Sequence, residues 1–235
     1  MQHQNIKTSA IIVAAGKGSR MNAKTNKQYL MLSNKPVLAH TLQAFEQTDI
    51  ISEIIIAIHP DDHQLFKECI LPYGFSKITA VIDGGADRQA SVYNALARIS
   101  PESGVIAVHD GARPFITPKI ITESIETAAS YGAACVGMPV KDTIKHVGPD
   151  LTVIDTPDRS ALWAIQTPQT FQRETLINAH EKAITEGYRG TDDSVLVERL
   201  GVKVRMVMGS YANLKITTAE DLVFAEAFLK TEFGK

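Results

Sequence analysis

Three short runs in this chain are apolar at every position: AIIVA at 10–14, IIIAI at 54–58 and VIAV at 105–108. An uninterrupted apolar run buries both faces of a strand, which suits a parallel sheet covered on each side by helices. Helix-like segments lie between these runs. Pro36 opens one in which Leu38, Thr41, Leu42 and Phe45 share a face, and further helices are predicted over 91–99 and 119–131. Near the C-terminus, TTAEDLVFAEAFL sets Thr217 and Glu220 at capping-box spacing and then Leu222, Ala225 and Leu229 on one side. Strands that alternate with helices form right-handed βαβ units, so the expectation is an α/β fold with a mostly parallel open sheet flanked by helices.

One stretch breaks the rhythm. From 139 to 171 the text is PVKDTIKHVGPDLTVIDTPDRSALWAIQTPQTF, with short alternating segments, a Gly148-Pro149-Asp150 turn and prolines at 157 and 168. It reads as a β-hairpin or arm, placed at about 139–167, inserted into a single domain that spans 1–235. A lone two-stranded hairpin is marginal in water, so the arm needs a surface to pack on, and a second copy of the chain is the obvious one. The rest of the chain has no internal repeat, low-complexity tract or linker. A formal net charge of −2 gives no global field to draw it to nucleic acid or a membrane. Cys69 and Cys135 lie far apart without metal-ligand spacing and read as buried thiols in a reducing compartment. The opening MQHQNIKTSA is too polar for a signal peptide, and the expected location is cytoplasmic.

Charge collects where the strands end. After the first run comes AAGKGSRMNAKTNKQYL, in which Gly16 and Gly18 allow close backbone approach, Ala14 and Ala15 keep side chains small, and Lys17, Arg20, Lys24 and Lys27 follow. A turn of this kind between a strand and a helix presents backbone N–H groups to phosphate. It lacks the Gly-Lys-Ser/Thr ending of a P-loop and the third glycine of a dinucleotide fingerprint, while Arg20 and Lys27 suit a triphosphate. The plainer alternative is a tight turn with solvated lysines. IDGGADRQASV repeats the pattern with Gly84, Gly85, Arg88 and Ser91; a ligand role and a loop closed by an N-cap serine fit it equally. In VIAVHDGARPF a buried strand ends at His109-Asp110, with Arg113 after it. His109 reads as a packed or capping histidine, and Asp110 as a partner for a substrate hydroxyl or Mg²⁺. Lys215, just before the last helix, would by itself be a surface lysine. Open α/β sheets bind ligands beyond the carboxyl ends of their strands, so three charged ends can converge on one crevice.

Taken together, VAAGKGSRM, NKQYL, DGGADRQASV, HDGARPF, VKDTIK, LWAIQTPQTF, GTDDSVLVE and NLKITTAEDL resemble, in order and spacing, the 2-C-methyl-D-erythritol 4-phosphate cytidylyltransferase family. AAG-x-G-x-R-M alone is shared by many nucleotidyltransferases; the combination with HDGARPF, QTPQTF and NLKITT is far more specific. The resemblance implies a Rossmann-like sheet, a projecting β-arm that helps form a homodimer, and transfer of CMP from CTP to methylerythritol phosphate in non-mevalonate isoprenoid synthesis. Pyrophosphate is released and a divalent cation such as Mg²⁺ is required. It also implies roles. Ala14, Ala15, Gly16 and Gly18 wrap the triphosphate, and Arg20 and Lys27 stabilise charge at the attacked phosphorus and leaving pyrophosphate. Gly85, Arg88 and Ser91 line the cytidine pocket, with Thr167 nearby. Asp110, Arg113, Thr143, Arg159 and Lys215 aim the acceptor, Thr143 and Arg159 coming from the partner's arm, and Arg159 and Lys215 are counted with Arg20 and Lys27 as catalytic. One departure is NAKTNKQYL, where many members carry proline before the lysine.

The residues agree with that chemistry. Transfer to a phosphate nucleophile needs no general base, and no Ser-His-Asp or Cys-His arrangement is present; the demand is alignment and relief of repulsion between two anions. Arg113 and Arg159 offer planar forks, Lys27 and Lys215 point charges. Three other readings differ in substrate or class: a ribitol-5-phosphate cytidylyltransferase, an NAD-binding oxidoreductase and a nucleotide-binding regulator without turnover. IAIHPDD, with a proline after His59, speaks against the NAD reading because no acid closes the second strand.

Overall fold

The computed structural model describes residues 7–16 and 26–233. In chain order the strands are β1 Lys7–Ala14, β2 Met31–Leu32, β3 Lys35–Pro36, β4 Ile51–Ile58, β5 Ile78–Asp83, β6 Ser103–Asp110, β7 Ala133–Pro139, β8 His146–Val147, β9 Val153–Asp155, β10 Trp163–Gln172 and β11 Arg205–Met208. The helices are α1 Val37–Glu46, α2 His63–Cys69, α3 Arg88–Leu96, α4 Pro118–Tyr131, α5 Arg173–Thr185, α6 Asp193–Glu198 and α7 Ala219–Phe233.

Seven strands form the central sheet in the order β11-β7-β10-β6-β1-β4-β5. Only β10 runs antiparallel to its neighbours, so the mostly parallel α/β sheet expected from the apolar runs is what forms. β1 pairs with β4 on one side and β6 on the other. The order therefore reverses beside β1, and a crevice opens beyond the carboxyl ends of β1 and β6, where Val13 lies opposite Asp110.

The continuous apolar runs are explained by the two faces. Ala10, Ile12 and Ala14 of β1 pack with Ile54, Ile56 and Ile58 of β4 against Leu38, Leu42 and Phe45 of α1 and Ile121 and Ile125 of α4. Ile11 and Ile55 point the other way, against Val92 and Leu96 of α3, Phe171 of β10 and Leu176 of α5. Each fully buried Leu, Ile or Phe contributes about 1.5–3 kcal/mol relative to exposure, and the period-2 split shares that gain between both helical layers. Leu32 and Val37 join Ile216, Ala225 and Leu229 in a third cluster that docks α7.

Three local expectations shift. The helix expected over 91–99 begins at Arg88, because Asp87 rather than Ser91 is the N-cap: the Asp87 carboxylate accepts from Ala90 N at 2.8 Å. The reciprocal cap before α7 joins Thr218 to Asp221, one residue beyond the Thr217–Glu220 pair; Asp221 accepts from the Thr217 and Thr218 amides at 2.8 and 2.9 Å. Of the segment 139–167, only 140–162 leaves the sheet, since Trp163 onward runs as β10 between β6 and β7. The excursion carries the two-stranded β8–β9 ribbon, with Val147, Leu151, Val153 and Ile154 all exposed. Thr143 and Arg159 are exposed on the same excursion.

Candidate active site

The crevice at the reversal point has two lobes. The first, about 390 Å³, is lined by Ala15 and Gly16 after β1, Lys27 and Gln28 of the next turn, Gly85 to Arg88 and Ser91 around the start of α3, and Asp110, Ala112 and Lys215. The second, about 330 Å³, is lined by Arg113, Gln166, Thr167, Gln169, Thr191 and Asp192. Arg88, Asp110 and Lys215 line both and form the shared wall. Two ligands, one in each lobe, can thus meet over one charged cluster.

The turn at Gly84 and Gly85 is shaped by close approach. A Cβ on Gly85 would lie 2.4 Å from Ala90 Cβ and 2.8 Å from its carbonyl carbon, so no side chain fits where the turn enters α3. The amide of Gly85 donates to Ser91 Oγ at 3.0 Å, and that hydroxyl donates to Asp87 O at 2.7 Å. Ser91 therefore fixes the turn while also lining the first lobe. At Gly16 a Cβ would meet nothing within 4 Å among the described residues, which leaves its approach to the lobe open. Gly18 and Arg20 lie outside the described residues.

Asp110 is the hub. Its carboxylate is bonded to Arg88 Nε at 3.0 Å and Lys215 Nζ at 2.7 Å, with Arg113 Nε at 3.8 Å. Burial opposes its ionisation, but Arg88, Lys215 and Arg113 outweigh that and hold the carboxyl well below the usual carboxylate range. Arg88 also spans to Asp193 Oδ2 at 2.7 Å, and Asp193 takes His180 Nε2 at 3.1 Å; His180 and Asp193 are both inaccessible to solvent. Burial likewise opposes ionisation of Asp193, and Arg88 and His180 reverse it. Arg88, expected in the cytidine pocket, is placed here as counter-charge to two buried carboxylates.

Of the remaining predicted groups, Arg113, Thr167 and Lys215 fall around this hub. Arg113 donates to Asn213 O at 2.8 Å, and Asn213 donates to Thr167 O and Gln166 Oε1 at 3.0 and 3.2 Å. Since Ile216 N also donates to Ala112 O, the strip 213–216 is fastened to the loop after β6, and this makes Lys215 a site residue instead of a surface one. Thr167 Oγ1 accepts from Asp110 N at 3.1 Å and meets His109 Nδ1 at 3.0 Å. Thr143 and Arg159 line neither lobe; Arg159 instead donates to Lys141 O at 2.9 Å on the excursion. Nothing in the sequence singles out Gln28, Asn213 or Asp193, although each lies inside a quoted motif. Their spacing carries no chemical signal by itself, because only the fold aims them.

His109 is fully buried and tilted against Phe45, with ring centroids 5.0 Å apart. Burial pushes its imidazole down to about 3. Between that value and the unfolded value near 6.5 the unfolded chain binds the extra proton, so stability is complete above pH 6.5 and falls as pH drops. His40, lowered by burial as well, acts with the same sign. Urea denaturation at pH 7 and pH 5 should show the wild type losing about 2 kcal/mol more than His109→Gln, at roughly 1.4 kcal/mol per pH unit. Equal losses would show that His109 takes no part in the acid sensitivity.

Among the described residues no three His, Cys, Asp or Glu side chains gather as a metal would need, and Asp110 is already committed to three cations.

Comparison with known proteins identifies the family. The family model "2-C-methyl-D-erythritol 4-phosphate cytidylyltransferase" matches residues 8–231. The chain is 50% identical to the protein of that name from Caldanaerobacter subterraneus subsp. tengcongensis, over 94% of this chain and 98% of the relative. It is 49% identical to that of Clostridioides difficile over 95% and 94%. The crystal structure of 4-diphosphocytidyl-2C-methyl-D-erythritol synthase from Anaerococcus prevotii superposes with a TM-score of 0.87 at 35% identity, covering 96% of this chain and 97% of that one. The Thermus thermophilus cytidylyltransferase superposes with 0.79 at 32% identity, covering 96% and 100%. With the family model spanning nearly all of the sheet and both lobes, the chain belongs to the 2-C-methyl-D-erythritol 4-phosphate cytidylyltransferase family.

Proposed function

We propose that this chain transfers CMP from CTP to the phosphate of 2-C-methyl-D-erythritol 4-phosphate. An acceptor phosphate oxygen attacks the α-phosphorus, the bond to the β-phosphate breaks, and pyrophosphate leaves with the electron pair. The observation that carries the reading is the two-lobed crevice whose common wall holds Arg88, Asp110 and Lys215. CTP occupies the first lobe, with Ala14, Ala15, Gly16, Gly18, Arg20 and Lys27 serving its triphosphate and Gly85 and Ser91 its base. A divalent cation, magnesium or another, would be held mainly by the CTP phosphates and would supply further neutralisation of their charge. The acceptor takes the second lobe, where Arg113 offers a fork and Lys215 a point charge, both aimed by Asp110, with Thr167 holding the Asp110 backbone. Catalysis is then alignment and charge neutralisation, since the nucleophile is already an anion.

Incubating the purified protein with CTP, Mg²⁺ and either methylerythritol phosphate or ribitol 5-phosphate, and following pyrophosphate, tests this reading. Release is expected with the first acceptor; preference for ribitol phosphate overturns the acceptor assignment.

The whole chain acts as one domain, with the 140–162 excursion as a dimerisation arm. Supporting this are the exposed apolar side chains of its ribbon and the fact that Thr143 and Arg159 are not among the residues lining their own crevice. In a homodimer each arm brings these two residues to the neighbour's acceptor lobe. Mixing inactive Arg159→Ala subunits with inactive Lys27→Ala subunits should then restore activity, because one site of each mixed dimer is intact. No recovery in verified mixed dimers removes the cross-subunit role and leaves the chemistry standing. The described residues contain no helix long and apolar enough to cross a membrane, which is compatible with a cytoplasmic location.

A further inference from the structure

The turn that carries Lys27 is fastened on both sides of it. Asn26 Nδ2 reaches both carboxylate oxygens of Asp62, at 2.8 and 2.6 Å. Gln28 Nε2 donates to Ala14 O and, at 3.0 Å, to Gly16 O. Gln28 is 2% exposed and lines the first lobe, and its Oε1 is buried with no hydrogen-bond partner among the described residues. A buried amide oxygen without a donor is costly to leave unpaired, and a side chain held at that cost has a reason to be there.

We propose that Gln28 is a positioning residue that sets the glycine turn for the triphosphate, a role that rests on the CTP reading above. A turn receiving a polyanion must not present carbonyl oxygens to it. The two donors of Gln28 engage the carbonyls of Ala14 and Gly16, the last residue of β1 and the second beyond it. The same bonds fix the separation between Gly16 and the backbone of Lys27, the adjoining residue, so the phosphate turn and its cation move as one piece. Gln28 Oε1 is left buried without a donor among the described residues, so the amide is held there by what its two N–H groups do. Amide chemistry is essential to this: glutamate at 28 keeps the acceptors, loses both donors and adds a charge that repels both the carbonyls and the triphosphate.

The test is steady-state kinetics of Gln28→Glu and Gln28→Met, both checked for folding by circular dichroism, with KM for CTP and for the acceptor measured separately. A rise of about tenfold or more in KM for CTP is expected in both variants, with KM for the acceptor within about twofold of wild type. Gln28→Glu carries a second signature. A buried carboxyl beside two carbonyls has its pKa raised, and once protonated it donates one of the two lost bonds. Its activity relative to wild type is therefore expected to recover between pH 8 and pH 6, whereas that of Gln28→Met stays flat. If both KM values rise together, or Gln28→Glu shows no recovery at low pH, Gln28 is only a packing residue and the proposal is overturned. If Gln28→Met does not fold, the pH profile of Gln28→Glu decides alone. Wild-type protein that releases no pyrophosphate from CTP overturns the CTP reading and this proposal together, so the two failures are told apart by the wild-type control.

Discussion

Replacing Lys27 with alanine is expected to lower turnover by about 10²-fold or more, the cost of losing one preorganised donor to charge that develops in a transition state. Lys27 lines the first lobe and is half-buried, on a three-residue turn held by its neighbours on either side. That fastening gives the ammonium its value, because a lysine already held where charge appears loses little entropy during the reaction. The loss belongs in kcat, since the departing pyrophosphate gains charge that the bound nucleotide lacks. Single-turnover rates at saturating CTP and acceptor measure it directly. Thermal unfolding should change little, because the side chain reaches a cleft and is not among the buried core residues. A fall of only two- or three-fold would count heavily against phosphoryl chemistry at this turn and in favour of a nucleotide-binding role without turnover.

Fold and site were legible in the sequence to different depths. The runs at 10–14, 54–58 and 105–108 report two-sided burial directly, because Ile11 and Ile12 enter opposite cores and both must be apolar. The strand ends were legible for the same reason: charge at Asp110 and glycine at Gly85 interrupt the apolar text where the sheet stops. Strand order was not, since nothing in WAIQTPQTF distinguishes the far side of a hairpin from a strand inserted antiparallel between β6 and β7. The ion network was hidden for a different reason. Asp193 opens a short helix 105 residues from Arg88, and an acid at a helix start already has a local explanation in the helix dipole. Gln28 and Asn213 are uncharged and speak only through the carbonyls they meet. Long-range pairing and neutral amides therefore need the fold, whereas periodicity and strand-end chemistry do not.

The largest stability change is expected at Arg88. Substituting methionine removes the principal counter-charge from Asp193 and one of the closest from Asp110, both almost wholly buried, and should cost about 3–5 kcal/mol in chemical denaturation at pH 7. The sign of its pH dependence separates lost charge from lost packing. In the wild type both carboxyls titrate below their unfolded value, so their contribution is complete above that value and is lost as pH falls through the folded one. Without Arg88, burial dominates at Asp193, the folded value rises above the unfolded one, and protonation then favours folding as pH falls. The deficit of Arg88→Met relative to wild type should therefore shrink between pH 7 and pH 5. Asp193→Asn combined with Arg88→Met should cost less than the two single changes added, because the charge that lacks a partner in the single variant is gone. A deficit constant with pH, or strict additivity in the double variant, would mean that the guanidinium stabilises the site by filling space and that the paired charges at its centre contribute nothing net.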